Sequence, residues 1–419
     1  MFRLAFKGLM PSLKIALLSY RSDPFSGGQG IYVKNVSEAL LGRGHEITIF
    51  SGNPLPEVNK AIKVEKIDTP GFFETFDSIE RIKIFSNLEK NRLNLLDFFE
   101  TFTGTFTEPV FFGERLIKNK VFQESVDTFD IFHDNQSISA YPQTILKKLI
   151  TTVHHPIHVD KEIDLANEKN FFTRLSIKRW YSFLNFQKKN LASVKKVISP
   201  SASSKNDICN YFDYPSKNIS VIWNGINLDD YKFHQRETFN ANFVTIISSD
   251  VPMKNLKTVL KAIYLLKQDG LNAKLTIIGD LREENKNLIN KLDLANDVDY
   301  KSKLPRDELI KALNDADIGI APSSYEGFGF PLVEMISTGL PVIVSDKASL
   351  PELAGNAGLI FDSKDSTDLK KKMKELIENK ILRNKLTENS KLRRDDFFGW
   401  DEYAKKLEDL YEEIISGNI

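Results

Sequence analysis

Cysteine is almost absent. Cys209 stands alone in 419 residues, so no internal disulfide can form and no cysteine-based zinc site can be built. A disulfide-stapled secreted scaffold is excluded, and a reducing, cytoplasmic setting is the expectation. Net charge is absent too: Lys plus Arg number 57 and Asp plus Glu number 57. There is no whole-chain field with which to gather nucleic acid, so any anionic ligand has to be held locally. Long apolar runs are also missing. No window approaches the roughly 18 apolar residues of a membrane-spanning helix, and the opening MFRLAFKGLM is too short in apolar residues for a signal peptide. Because PSLKIALLSY begins so cleanly after Met10, the first ten residues read as a loose amphipathic extension, or as the stretch ahead of a second start at Met10.

What is present is a recurring unit. Short apolar runs bounded by turn residues are followed by stretches of helical period, the pattern of parallel sheets flanked by helices. At roughly 150 residues per domain, 419 residues allow two or three domains. Strands are expected at 14–19, 46–51, 129–133, 149–154, 196–199 and 220–223, and a second series at 243–248, 274–279, 317–321, 341–345 and 358–361. Between Phe72 and Phe122 a polar, Phe-rich stretch reads as helical with one loop and has no place on the sheet. The expected division is a first α/β domain over 1–226, a polar linker over 227–241 that permits relative motion, and a second α/β domain over 242–400. The segment Asp401 to Ile415 alternates Tyr, Leu and Ile with Lys and Glu at helical spacing, as an amphipathic helix would.

The most informative stretch is SSYEGFGFPLVEMISTGLPVIVS, which leads from the strand ending at Ala321 through a glycine loop into a helix. Gly327 and Gly329 let backbone approach a ligand closely. Pro331 suits the first turn of a helix, whose unpaired N–H groups favour phosphate. Glu326 and Glu334 are eight positions apart, so both can face one ligand, the first near a transferred group and the second against a vicinal diol such as ribose. Solvated charges flanking a loop are the alternative from spacing alone.

Four further segments carry candidates. In DPFSGGQGIYV, Gly27, Gly28 and Gly30 open a helix after the first strand, either as a phosphate-approaching turn or as a plain tight one. The third glycine of a dinucleotide fingerprint is missing there, which argues against a nicotinamide enzyme. In TTVHHPIHVD, His154 and His155 end an apolar strand, where ligands collect in open parallel sheets; a structural histidine is the competing reading, and His133 is a weaker candidate of the same kind. These histidines lack the helical spacing of a zinc motif. Lys254, between a strand and a helix, could neutralise a leaving diphosphate or sit in solvent. In FFTRLSIKRWYSFLNFQKKN, Trp180, Phe183 and Phe186 alternate with basic residues; core packing is favoured over contact with anionic lipid.

Taken together, these segments resemble the family 4 glycosyltransferases of the GT-B fold. Glu326 to Glu334 fits that family's Glu-x7-Glu motif, with TGLPVIVSDKASLPELAGNAGLIF in register, while SGGQGIYV, GRGHEITIF, VIWNGIN and ADIGIAPS follow in the expected order. The resemblance implies α/β architecture with two Rossmann-like doubly wound domains facing across a cleft. The acceptor would lie mainly on the first domain, the nucleotide-sugar mainly on the second, and the C-terminal helix, 401–419, would cross back to complete the first. It implies transfer of a hexose with retention of configuration to a lipid, polysaccharide or small-molecule acceptor, with no metal and no other cofactor. By position it implies His154, Glu326 and Lys254 as catalytic residues. The donor would be held by Gly27, Gly28, Lys254, Glu326, Gly327, Phe328, Gly329, Phe330, Pro331, Leu332 and Glu334, with Leu304 beside the base.

One departure stands out: the family's arginine, five residues before the lysine, is here Ser249, so Arg21, Lys257 or Arg306 would have to supply the missing charge. A sugar phosphorylase or synthase on the same scaffold, and a non-catalytic nucleotide-sugar-binding protein, are the competing readings. No nucleic-acid partner is expected, and a peripheral contact with the inner face of a membrane would run through the first domain.

Overall fold

The computed structural model describes residues 11–24, 28–302 and 304–417. Gly27 and the ten-residue opening lie outside these. Among the described residues, β1 (Lys14–Ser19), β2 (Glu46–Ser51), β3 (Lys63–Lys66), β4 (Ile131–Asn135), β5 (Leu149–Thr152), β6 (Lys196–Ser199) and β7 (Ile219–Val221) form one parallel sheet in the order 3-2-1-4-5-6-7. A second parallel sheet has β8 (Asn242–Ile246), β9 (Lys274–Ile278), β10 (Val298–Lys301), β11 (Ile318–Ala321), β12 (Val342–Ser345) and β13 (Gly358–Phe361) in the order 10-9-8-11-12-13. These are the two doubly wound, Rossmann-like domains expected.

In each sheet the strand order reverses once, between β1 and β4 and between β8 and β11. Loops leaving the carboxyl ends of strands diverge at such points and open a crevice. The glycine loop follows β1, Lys254 follows β8 and Glu326 follows β11, so topology alone draws these three segments toward switch points.

Two strands, β3 (KVEK) and β10 (VDYK), escape an apolar-run reading because they are edge strands with mostly charged, exposed side chains. The Phe-rich stretch forms helices Ser78–Asn87, Arg92–Phe102, Glu108–Lys118 and Lys120–Ser125, which make up the crossover from β3 to β4. Phe112 and Leu116 bury completely against the sheet, explaining the apolar content that had no strand to occupy.

The C-terminal helix Trp400–Ile415 places Trp400, Tyr403, Ala404, Leu407, Tyr411 and Ile414 along one buried stripe, in a cluster with Tyr32, Val33 and Val36 of the helix Gly28–Gly42. Its polar edge is tied down by Arg43, which donates to Glu408 at 2.7 and 2.8 Å, while Glu408 also meets His45 at 2.8 Å. At the centre is a buried polar chain. His133 Nδ1 meets Tyr411 Oη at 2.6 Å, His133 Nε2 meets Thr152 Oγ1 at 2.7 Å, and Tyr32 Oη reaches both Thr152 and Tyr403 at 2.9 Å. Burial pushes the His133 pKa down to about 3, so the ring is neutral.

The segment 227–241 is not a loose tether. Tyr231 is buried, and Arg236 donates to the carbonyls of Leu313 at 2.9 Å and Thr338 at 3.3 Å, pinning the chain to the second domain. The crossing is tight instead at Gly225, where a Cβ would lie 2.8 Å from Trp400. Across the domain boundary, the Glu352 carboxylate accepts from the N–H of Ala202 at 2.9 Å, at the start of the helix Ala202–Phe212, and from Trp223 Nε1 at 2.8 Å. A carboxylate here satisfies orphan helix donors and meets the positive end of the helix dipole.

Two outcomes follow from these contacts. Tyr411→Phe strands a buried imidazole nitrogen and should cost about 1–3 kcal/mol in urea denaturation. Glu352→Ala removes a cap that spans two domains: a loss of about 0.5–2 kcal/mol is expected, with a larger radius of gyration in small-angle scattering.

Candidate active site

A cavity of about 470 Å³ opens between the two domains, a size suited to a small-molecule ligand. It brings together Gly28, His154, Lys254, Glu326 to Pro331 and Glu334, segments that lie far apart in the chain.

Glu326 follows β11, and its carboxylate is held from two sides: Lys254 Nζ donates at 2.6 Å and Ser323 Oγ at 2.8 Å. Both partners are largely shielded, with side-chain exposures of 11% for Lys254 and 18% for Glu326, so the pair sits where charge acts strongly. Lys254 is placed by a short turn, Pro252–Lys254, and by Asn255 beyond it. Asn255 adopts a left-handed conformation and donates to the carbonyls of Pro322 at 3.0 Å and Ser363 at 2.8 Å.

The loop then turns into the helix Phe330–Ser337, with Gly329 at its N-cap and a φ of 113° that only glycine adopts readily. Gly327 is required for a different reason. A Cβ there would fall 2.1 Å from the carbonyl oxygen of His154, so the two domains touch backbone to backbone at this point. Ser201 Oγ at 2.7 Å and Ser204 Oγ at 3.1 Å donate to the Gly327 carbonyl, and Tyr325 Oη donates to Asp207 at 2.8 Å. The Glu326 loop is thus clamped against the first domain on both flanks.

His154 leaves the end of β5 and is oriented by two neighbours. Its Nε2 meets Asn135 Oδ1 at 2.7 Å, an acceptor, while Asn135 Nδ2 donates to Ser19 Oγ at 3.1 Å. The proton therefore sits on Nε2 and Nδ1 is left as an acceptor. Burial, reinforced by His155 and His133, holds the His154 pKa down to about 3, so a neutral imidazole faces the cleft.

Glu334 lies one turn into the helix, where Tyr231 Oη donates to it at 2.7 Å. Burial pushes its carboxyl up to about 6, partly offset by that hydrogen bond and by Arg306.

Several expected residues take other places. The Leu332 side chain is fully buried beneath the loop, and its backbone N–H, the group expected to meet the donor, donates to the Gly329 carbonyl at 3.0 Å. Leu304 follows the edge strand β10 and packs, partly buried, on the core of the second domain that includes Phe328. None of the three substitutes for the missing arginine lines this cavity among the described residues. Arg21 pairs with Glu108 at 3.0 Å, Lys257 pairs with Glu284, and Arg306 pairs with Asp230 at 2.7 Å while lying over the Tyr231 ring. His133 belongs to the buried polar chain described above, and His158 stacks on Tyr211. In the aromatic basic stretch, Trp180 and Phe183 pack against Phe106, while Phe171 and Phe172 remain exposed. No helix of the described residues is long and apolar enough to cross a membrane.

The sequence reading missed Gln29, Asn224, Ser248 and Tyr325 as cavity residues. Asn224 had a signal in the NG segment. It is 5% exposed and its Oδ1 has no hydrogen-bond partner in the chain, an acceptor stranded at the cleft wall. Gln29 and Tyr325 stand inside the two glycine-loop segments already singled out, next to Gly28 and Glu326, whereas Ser248, a lone polar residue after a strand, had no signal.

Comparison with known proteins agrees with this geometry. Residues 26–230 match the family described as Glycosyltransferase Family 4, and residues 229–393 match Glycosyl transferases group 1. The MMP α-(1→4)-mannosyltransferase of Mycolicibacterium hassiacum is 30% identical over 414 residues, covering 96% of this chain and 99% of that one. The O-antigen chain mannosyltransferase RfbU of Salmonella typhimurium is 26% identical over 223 residues, 52% of this chain and 62% of its own. In structure, sucrose-phosphate synthase of Thermosynechococcus elongatus matches with a TM-score of 0.68 at 17% identity, over 97% of this chain and all of that one, which speaks to the fold. With a relative this similar along its whole length and the Glu326 loop set into a two-domain cleft, the chain belongs to the family 4, group 1 glycosyltransferases and has the GT-B fold.

Proposed function

We propose that this glycosyltransferase moves mannose from a nucleoside-diphosphate sugar to a hydroxyl of a glycan acceptor, with retention of configuration and without a metal. The observation that carries the donor reading is the shielded Lys254–Glu326 pair set at the mouth of the helix Phe330–Ser337, with His154 and Glu334 on the same cavity. Mannose is favoured because two of the relatives above are named as mannosyltransferases.

In this reading the diphosphate lies across the helix N-terminus, where backbone N–H groups and the dipole meet its charge. Among the described residues Lys254 is the one Lys or Arg that lines the cavity, and Ser249 stands where the family's arginine is expected. As the bond from C1 to the diphosphate oxygen breaks, negative charge builds on the leaving group, and preorganised donors in a shielded site stabilise it most in the transition state. Glu326 holds the Lys254 ammonium in place and faces the sugar. His154, neutral and accepting at Nδ1, takes a hydrogen bond from a sugar hydroxyl. The acceptor oxygen bonds to C1, yielding the glycoside, the nucleoside diphosphate and a proton. Glu334 accepts from the ribose diol.

A thermal-shift screen of GDP-, UDP- and ADP-sugars identifies the donor, since a ligand at a hundred times its Kd stabilises by about 2.7 kcal/mol. Absence of any shift and of any donor turnover would overturn the reading. With the cognate donor, Glu326→Gln should lower kcat by about 10²–10³ while donor affinity changes only a few-fold. Turnover should withstand EDTA. Glu334→Ala should weaken the donor by roughly 10–100-fold, the worth of a charged hydrogen bond.

The pH dependence has a defined sign. With its folded pKa raised to about 6, Glu334 favours the folded protein at low pH, and that contribution is lost as pH rises through 6. The ionised form is the better diol acceptor, so donor affinity should fall as pH drops below about 6 in the wild type and stay flat in Glu334→Gln, measured by titration calorimetry.

A further inference from the structure

Behind the turn that carries Lys254 lies another cavity, of about 400 Å³, which shares no lining residue with the main one. The turn is their common wall. Met253 and Lys254 line the main cavity, while Asp250, Val251 and Pro252 before them and Asn255 after them line the space behind. Arg282 and Asn285, at the start of the helix Glu283–Lys291, close it on the second domain. Asn167, the last residue of the helix His158–Asn167, closes it on the first.

Net charge does not select the occupant. Among the described residues two cations, Lys257 and Arg282, and two carboxylates, Asp250 and Glu284, line the space. Lys257 pairs with Glu284, and buried Asp250 accepts from the Arg282 main-chain N–H at 2.8 Å and from Asn285 Nδ2 at 2.6 Å. The helix start offers little to a phosphate, because Glu283 and Glu284 in its first turn already answer its dipole. What the wall lacks is a hydrogen-bond donor. Asn285 is 5% exposed, and with Nδ2 committed to Asp250 its amide cannot turn over, which leaves Oδ1 without a partner among the described residues. A buried acceptor in that state calls for an O–H or N–H from outside the chain. The Arg282 guanidinium, which only donates, asks for an oxygen acceptor in return. An uncharged molecule that carries both groups at every unit is a saccharide. Four and five positions beyond Asn167, within about 18 Å along the chain, Phe171 and Phe172 open the next helix, 67% and 76% exposed. They offer the flat apolar surface against which the C–H face of a sugar ring packs.

We propose that the cavity behind the Lys254 turn is a holding site, remote from the chemistry, for the far end of a neutral oligosaccharide whose other end reacts in the main cavity. The assignment rests on the glycan-acceptor reading above. The helix His158–Asn167 joins the two places: it begins just past His154 and His155 and, with ten residues, runs about 15 Å to Asn167. A short acceptor engages the main cavity alone, whereas a long one is held at both ends. Attachment at the second point raises the effective concentration of the reacting end without adding a contact to it.

The test uses the full chain and two probes, α-1,4-mannobiose and an α-1,4-linked mannooligosaccharide of about eight units. Each is titrated by calorimetry into donor-free wild type, Arg282→Ala and Phe172→Ser, and each is then assayed as acceptor with the donor that gives the largest thermal shift. Both substituted side chains are exposed, and the bond from residue 282 to Asp250 is made by the main chain, so the fold is kept. The long probe should bind wild type at least tenfold more tightly than the disaccharide and show a correspondingly lower KM. Arg282→Ala and Phe172→Ser should each weaken the long probe by about fivefold or more, with the disaccharide KM, kcat and the donor-induced shift within about twofold of wild type. Equal affinity of wild type for the two probes, or no binding of the long one, overturns the assignment. So does a long-probe affinity within twofold of wild type in both variants, or an equal loss for long and short acceptors, which would mean that the cavity acts on the Lys254 turn. A wild-type protein with no donor-induced shift overturns the nucleotide-sugar reading beneath it, so the donor measurement tells the two failures apart.

Discussion

An ammonium and a carboxylate 2.6 Å apart, Lys254 and Glu326, tie the loop after β8 to the loop after β11, and the rest of the site is arranged around that contact. Removing two charges from water is costly, so such a pair is weak evidence of stabilisation. The loops are neighbours because β8 and β11 are adjacent strands at the point where the second sheet reverses direction. Ser323 gives the carboxylate a second donor, and Asn255 locks the turn that carries the lysine through bonds to two main-chain carbonyls.

The first domain meets this construction through main-chain contact. Gly327 lies against the His154 carbonyl, two serine hydroxyls from the start of the helix Ala202–Phe212 reach the Gly327 carbonyl, and Glu352 reaches back to cap the same helix. These contacts place His154 and Glu326 on facing walls of one space, and they put the position of the motif glutamate under the control of the domain arrangement. The C-terminal helix takes part at a distance. Trp400, at its first residue, packs against Gly225, and Tyr403 and Tyr411 join the buried polar chain that runs through His133. His133 lies at the end of a central strand, where a histidine invites a functional reading, yet both of its nitrogens are engaged within the core.

Much of this was legible in the sequence because its signals are local. Apolar runs marked the central strands, Gly329 and Pro331 followed from what a loop-to-helix turn requires, and Glu334 was singled out by the resemblance to the Glu-x7-Glu motif. Edge strands β3 and β10 were illegible, since one exposed side and charged residues erase the period that marks a buried strand. The segment 227–241 read as a linker from its polarity, but that reading missed Arg236, whose guanidinium satisfies carbonyls at the ends of two other elements.

The sequence by itself determined the class of fold, the family to which the chain belongs and the loop in which a phosphate and a diol could be met. These depend on residue type and spacing over a few turns of chain. Tertiary structure alone decided that Arg21 pairs with Glu108, that Asn224 leaves an acceptor without a partner, and that a second, carboxylate-lined space adjoins the first. The reason is physical: a charge is defined by what lies within a few ångströms of it, and those neighbours come from segments far apart in the chain.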